Sequence, residues 1–251
     1  MSKLYDILLK HEKHKLALRD LGFDEYGIKI LGHSHVPLDY VEAIKRQDGN
    51  LNATTIYYNY VLGLAANDID FDVSSKPKAL LLYPTKDADD IFSDIELLRQ
   101  IRETYNIKYR AICGVRDMCR ELRDSPALDL LMVAGHGTAQ TLTFDDEPFF
   151  DQLNINSIIE DRLCKVKEGG VIFLNSCSNG KGREGSRNLA NHIAACAPGR
   201  KVISCTENFR SDNMTVKSIH PFDINISRVD PFTGDYDDCT YVAVANGDKK
   251  R

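Results

Sequence analysis

Across residues 76–208 the chain repeats one hydrophobic pattern: a run of consecutive apolar residues, a turn, an amphipathic stretch, then another apolar run. The first run is Ala79-Leu80-Leu81-Leu82-Tyr83, closed by Pro84. After it Ile91, Ile95, Leu98 and Ile101 recur at helical steps and predict a helix with one buried face. Asp89 and Asp90 precede them, where the helix dipole favours carboxylates. Tyr109-Arg110-Ala111-Ile112-Cys113 is the second run, followed by a short helix carrying Met118 and Leu122 that stops near Pro126. The third, Leu128 to Ala134, ends in Gly135-His136-Gly137. A long connection with Asp145, Asp146 and Glu147 reads as a solvated loop, and Ile155, Ile158, Ile159 and Leu163 then predict a helix. The fourth run, Val171 to Leu174, leads into Asn175-Ser176-Cys177. A helix with Leu189, Ala190, Ile193 and Ala194 follows, stopped by Pro198-Gly199, before the fifth run, Val202-Ile203-Ser204-Cys205.

Strands that are apolar on both faces and alternate with helices predict an α/β fold: a mainly parallel sheet covered by helices. Right-handed crossovers bring the C-terminal ends of such strands to one edge, where ligands bind. His136 and Cys177 both fall at that edge. The flanks differ in character. Residues 1–75 read as a helical N-terminal region, with helices expected over Val41 to Arg46 and Ile56 to Ala66. Residues 209–251 alternate apolar and polar at Ile219, Phe222, Ile224 and Ile226, and again at Tyr241, Val242 and Val244, which predicts a β-rich extension of a few strands extending or covering one edge of the sheet.

Composition narrows the functional classes. Hydrophobic residues at 43% and charged residues at 27% are ordinary for a packed domain. A net charge of −5 leaves no basic footprint, so neither nucleic acid nor an anionic membrane is the expected partner. No apolar run approaches the length of a secretory signal or a membrane span, and seven cysteines without close pairs fit a reducing compartment. The expected setting is cytoplasmic, or that of a chain exported without a cleaved signal, such as an effector delivered into a host cell. His33-Ser34-His35 has no companion cysteine or carboxylate at ligand spacing, so no metal site is expected there.

A thiol attacks only as thiolate, and a neighbouring imidazole both favours that form and later protonates the leaving group. Two adjacent parallel strands, about 4.8 Å apart, each ending in one member of the pair, give it the rigid support it needs. A tetrahedral intermediate also requires donors for its oxyanion. Gly137 lets its N–H approach a substrate carbonyl, and the N–H of Cys177 is the second candidate donor.

Val133-Ala134-Gly135-His136-Gly137 resembles the apolar-block-then-His-Gly motif of the caspase-like (clan CD) cysteine peptidases, which include caspases, metacaspases, legumains, gingipains, separases and bacterial CHAT-domain proteases. Val171-Ile172-Phe173-Leu174-Asn175-Ser176-Cys177-Ser178-Asn179-Gly180 resembles their nucleophile block, nearest to its metacaspase and CHAT forms. The resemblance covers residues 76–208 and preserves the order, His before Cys with one helix between. It implies a caspase-like catalytic core, with His136 as general base and acid, Cys177 as nucleophile and Gly137 as oxyanion donor. The implied reaction is hydrolysis of a protein or peptide substrate through a thioester, without a cofactor. Metacaspases and separases carry an aspartate two residues before the cysteine that binds a basic P1 side chain; Asn175 stands there instead and has no charge. Glu207 after the fifth run, or Asp87 with Asp89 and Asp90 after the first, is the alternative source of a substrate-binding carboxylate. Lys181-Gly182-Arg183 marks a loop where relatives are cut during activation, and autoprocessing there is a further expectation.

Two other readings compete. Gly180-Lys181-Gly182-Arg183-Glu184-Gly185 formally matches a dinucleotide-binding G-x-G-x-x-G, with Glu207 about twenty residues on. Four residues, Ser176 to Asn179, separate it from its strand, and this reading leaves His136-Gly137 unexplained. A non-catalytic caspase-fold binding module is the other, although both members of the pair are present.

Overall fold

The structure is a computed structural model that describes residues 3–33, 35–86, 94–144, 147–151, 161–208, 213–229 and 232–245. Asp87, Asp89, Asp90, Ile91, Asp145, Asp146, Ile155, Ile158 and Ile159 lie outside the described residues. The chain divides into two units, residues 1–70 and 71–251.

The first unit consists of α1 (Lys3–Asp20), α2 (Glu25–His33), α3 (Leu38–Gln47) and α4 (Ala53–Val61). Leu18, Ile28, Leu31, Val41, Ile44 and Ile56 meet in its core. Asn52 caps α4 by accepting a hydrogen bond from the Thr55 N–H. The helix ends at Val61, short of the expected Ala66. Gly63 (φ 66°) adopts the left-handed conformation there, and its N–H and that of Leu64 bond back to the carbonyls of Tyr60 and Asn59.

The second unit is α/β. Its central six-stranded sheet runs β12-β8-β7-β3-β1-β2 and comprises β1 (Lys78–Pro84), β2 (Asn106–Ile112), β3 (Leu128–Ala134), β7 (Val166–Asn175), β8 (Lys201–Cys205) and β12 (Thr240–Val244). The first five are mutually parallel, and β12 joins β8 antiparallel. The apolar runs fall inside these strands. Alternate residues such as Leu80, Leu131, Val133, Ile172, Leu174 and Val202 pack with Met118 and Leu122 of α6 (Val115–Asp124) and with Leu189 and Ile193 of α7 (Leu189–Cys196). On β1–β2, α5 (Ile95–Thr104) begins only at Ile95, where Asp94 accepts a hydrogen bond from the Leu97 N–H and caps it.

One region departs from the sequence reading, and a second, the β-rich C-terminal part, is divided more finely than expected. The long acidic connection is not a loop throughout: β4 (His136–Gly137), β5 (Thr141–Phe144) and β6 (Glu147–Asp151) form a three-stranded antiparallel meander. Leu142 and Phe144 of β5, two residues apart, are buried. The C-terminal region splits. β12 extends the central sheet, while β9 (Met214–Ser218), β10 (Asp223–Val229) and β11 (Tyr236–Asp238) form a separate antiparallel sheet. Phe222, just before β10, packs its ring against Phe173 of β7 at 5.6 Å. Among the described residues no helix is long and apolar enough to cross a membrane.

Candidate active site

β3 and β7 are neighbours, and Ala134 lies opposite Asn175 in their parallel register. His136 and Cys177 each follow two residues later, so they leave the same edge of the sheet at the same level. Beyond the strands the Gly135 N–H still bonds to the Asn175 carbonyl at 3.2 Å. His136 is exposed and Cys177 half-buried. A side chain on Gly137 would collide with the Cys177 carbonyl oxygen and stand 3.0 Å from Ser176 Oγ. Glycine at 137 therefore lets the His-bearing and Cys-bearing backbones touch. On its other side His136 pairs with Thr143 of β5, whose hydroxyl donates to the His136 carbonyl at 3.0 Å.

The segment after Cys177 is equally fixed. The Ser178 N–H donates to the Glu207 carbonyl at 3.0 Å and the Gly180 N–H to the Cys205 carbonyl at 2.8 Å, which ties the Cys177 turn to the end of β8. Asn179 is 0% exposed. Its Nδ2 donates to the carbonyls of Thr138 (2.5 Å) and Thr141 (2.9 Å), and its Oδ1 accepts from the Ser176 hydroxyl.

The thiols near this point differ in environment. Cys205 is buried, and burial pushes its thiol up to about 12. Burial likewise raises Cys239 and Cys119. Such thiols stay protonated and unreactive near neutral pH. Cys113 and Cys164 are exposed but belong to other strand ends. Cys205 ends β8 and Cys113 follows β2 at the same sheet edge, but among the described cysteines Cys177 alone follows a strand paired directly with the one that leads into His136.

The expected substrate-binding residues have separate fates. Glu207 lines an open cavity of about 580 Å³ beside the Cys177 turn, together with Gly182, Arg183, Arg228, Asp237 and Asp238. Its carboxylate lies 3.9 Å from Arg228 Nη1, a loose pair. Asn175 is 1% exposed, and its Nδ2 has no hydrogen-bond partner among the described residues. It is closed over in this conformation. Asp87 lies outside the described residues.

After the glycine-rich segment, three backbone donors at the start of α7 are already engaged. The Leu189 N–H donates to the Ala139 carbonyl, the Ala190 N–H to the Asn179 carbonyl and the Asn191 N–H to the Asn188 side chain. A side chain on Gly180 would meet Ser204 Oγ at 2.6 Å and Tyr241 Cβ at 2.8 Å, so this glycine serves packing against β8 and β12.

Sequence reasoning did not single out Asn179 or the cavity wall formed by Arg228, Asp237 and Asp238. The signal for Asn179 was its place between Ser178 and Gly180 in a turn after a strand, a common setting for an amide that bonds backbone. Comparison with models of known protein families finds none that matches this chain, and comparison with curated proteins finds no match either.

Proposed function

We propose that the second unit is a caspase-like cysteine peptidase that hydrolyses peptide bonds with Cys177 and His136. The observation that carries this reading is the β3–β7 register, which sets the two residues level at neighbouring strand ends with Gly137 against the Cys177 backbone. In this mechanism the Cys177 sulfur, as thiolate, adds to the scissile carbonyl carbon, and the N–H groups of Gly137 and Cys177 face the resulting oxyanion. The carbon–nitrogen bond then breaks, and the amine leaves with a proton from His136. Water attacks the thioester carbon while His136 takes its proton, the carbon–sulfur bond breaks, and the acid product departs. No cofactor takes part. Glu207, Asp237 and Asp238 outnumber Arg183 and Arg228 in the cavity that follows the Cys177 turn, and this excess of carboxylate suits a basic P1 side chain.

A peptidyl acyloxymethyl ketone should label Cys177 and leave the folded Cys177→Ala protein unlabelled. Wild type should also cut proteome-derived peptides that Cys177→Ala does not cut. Folded wild-type protein that neither labels nor cuts is a binding module of this fold, and the proposal is wrong.

A further inference from the structure

We infer that Asn179 is the positioning residue that holds His136 and Cys177 in register, an inference that rests on the peptidase reading above. The anchor points are symmetric. Thr138 lies two residues beyond His136, Asn179 lies two beyond Cys177, and the Asn179 Nδ2 spans them at 2.5 Å to the Thr138 carbonyl. Its second bond, 2.9 Å to Thr141, closes on the other end of the same turn.

That turn is internally braced. The Thr138 N–H donates to the Thr141 carbonyl at 2.9 Å, and the Thr138 hydroxyl accepts from the N–H groups of Gln140 and Thr141, each at 3.2 Å. A grip on its two carbonyls thus moves it as one piece, and the pairing of His136 with Thr143 and Gly137 with Leu142 carries that placement back to the imidazole. The amide is itself held on its oxygen side by Ser176. The Ala190 N–H holds the Asn179 carbonyl at 3.1 Å while the Leu189 N–H holds Ala139 at 2.8 Å, so one helix end ties both segments. The two strands set the level of the pair, and Asn179 sets the separation of the segments that follow them. Catalytic geometry is sensitive to such separations at the scale of about 1 Å.

The test compares full-length wild type with His136→Ala, Asn179→Ala and Leu98→Ala, the last being a destabilised control in α5. Asn179→Ser, which retains one donor, serves if Asn179→Ala does not fold. Two quantities are read: kcat and KM on a peptide from the cleavage profile, and the rate of Cys177 alkylation by iodoacetamide, followed by mass spectrometry. Wild type should alkylate roughly tenfold faster than His136→Ala at neutral pH. Asn179→Ala should lose that advantage and fall roughly 100-fold in kcat at little-changed KM. Leu98→Ala, with a comparable loss of Tm, should retain both. A variant at 179 that keeps the wild-type kcat and alkylation advantage overturns the role of Asn179 alone. Equal alkylation of wild type and His136→Ala, with no turnover by either, overturns the peptidase reading and this inference with it.

Discussion

The carbonyl oxygen of Cys177 occupies the place that a side chain on Gly137 would need. Relief requires the two backbones to part, because the opposing atom is main chain and cannot rotate away. Gly137→Ala should therefore widen the gap between His136 and Cys177 and displace the Gly137 N–H from the oxyanion. A loss of about 100-fold in kcat is expected. Gly32→Ala, in α2, has nothing within 4 Å of the added methyl and should leave kcat unchanged. Full activity in folded Gly137→Ala protein would show that this contact does not matter to the chemistry.

Glu207 stands beside the Cys177 turn, whose Ser178 N–H donates to its carbonyl, while its carboxylate is only loosely paired with Arg228 at 3.9 Å. A basic P1 side chain entering the cavity can compete with Arg228 for that carboxylate, where Asp237 and Asp238 with Glu207 outnumber Arg183 and Arg228 by one charge. Glu207→Gln should lower kcat/KM for P1-Arg and P1-Lys peptides roughly tenfold or more and leave P1-Asn peptides little changed. Preference for P1-Asp, or equal losses on every substrate, would remove Glu207 from specificity.

Most of the parallel strands were legible because burial on both faces makes them near-continuous apolar runs, as in Leu80-Leu81-Leu82 and Ile172-Phe173-Leu174, while β2 instead buries Lys108 and Arg110 against Glu121. With the strands parallel, the common edge of His136 and Cys177 followed. The Thr141–Phe144 strand shows the two-residue alternation of a half-buried strand, but at four residues it is too short to stand out from an acidic connection. Asn179 was not legible because a side chain bonding distant carbonyls leaves no periodic trace. The cavity was not legible either, because tertiary pairing brings its wall together: Arg228 faces Asp237 across β10–β11, and the Thr206 N–H bonds to the Cys239 carbonyl.

Alkaline pH should weaken the fold. Burial pushes the Cys205 thiol and the Tyr105 phenol each up to about 12, from ordinary values of 9.0 and 10.0. Cys119, Cys239 and Tyr241 are displaced upward as well, with burial the leading cause. Between their ordinary and raised values the unfolded chain holds fewer protons than the folded one, so stability falls as pH rises. This contribution is whole below about pH 9 and is lost toward about pH 12. Tm followed across that interval should drop, and Cys205→Ala combined with Tyr105→Phe should give a shallower slope. An unchanged slope would assign the alkaline loss to other groups.

Lys181-Gly182-Arg183 offers basic residues four to six positions after Cys177, yet its backbone is poorly presented for cutting. Peptidases take their substrates extended, with main-chain groups free to pair. Here Gly182 and Arg183 have φ of 79° and 58°, in the left-handed region. The Lys181 and Arg183 carbonyls accept from Asn188 Nδ2 at 3.1 and 3.0 Å, and Arg183 accepts again from Asn191 Nδ2 at 2.9 Å. The Gly182 carbonyl accepts from Ser186 Oγ at 2.7 Å, and the Arg183 guanidinium donates to the carbonyls of Asp238 and Thr240. The segment must unravel before it can enter any active site. Active enzyme should accordingly keep its full-length intact mass while it consumes added peptide. Asn188→Ala with Asn191→Ala, which releases these carbonyls and removes the α7 cap at a cost of about 1 kcal/mol, should become nicked at Lys181 or Arg183. The same double variant carrying Cys177→Ala should stay whole. Wild-type protein that cuts itself there in a Cys177-dependent way would show that these hydrogen bonds do not protect the segment.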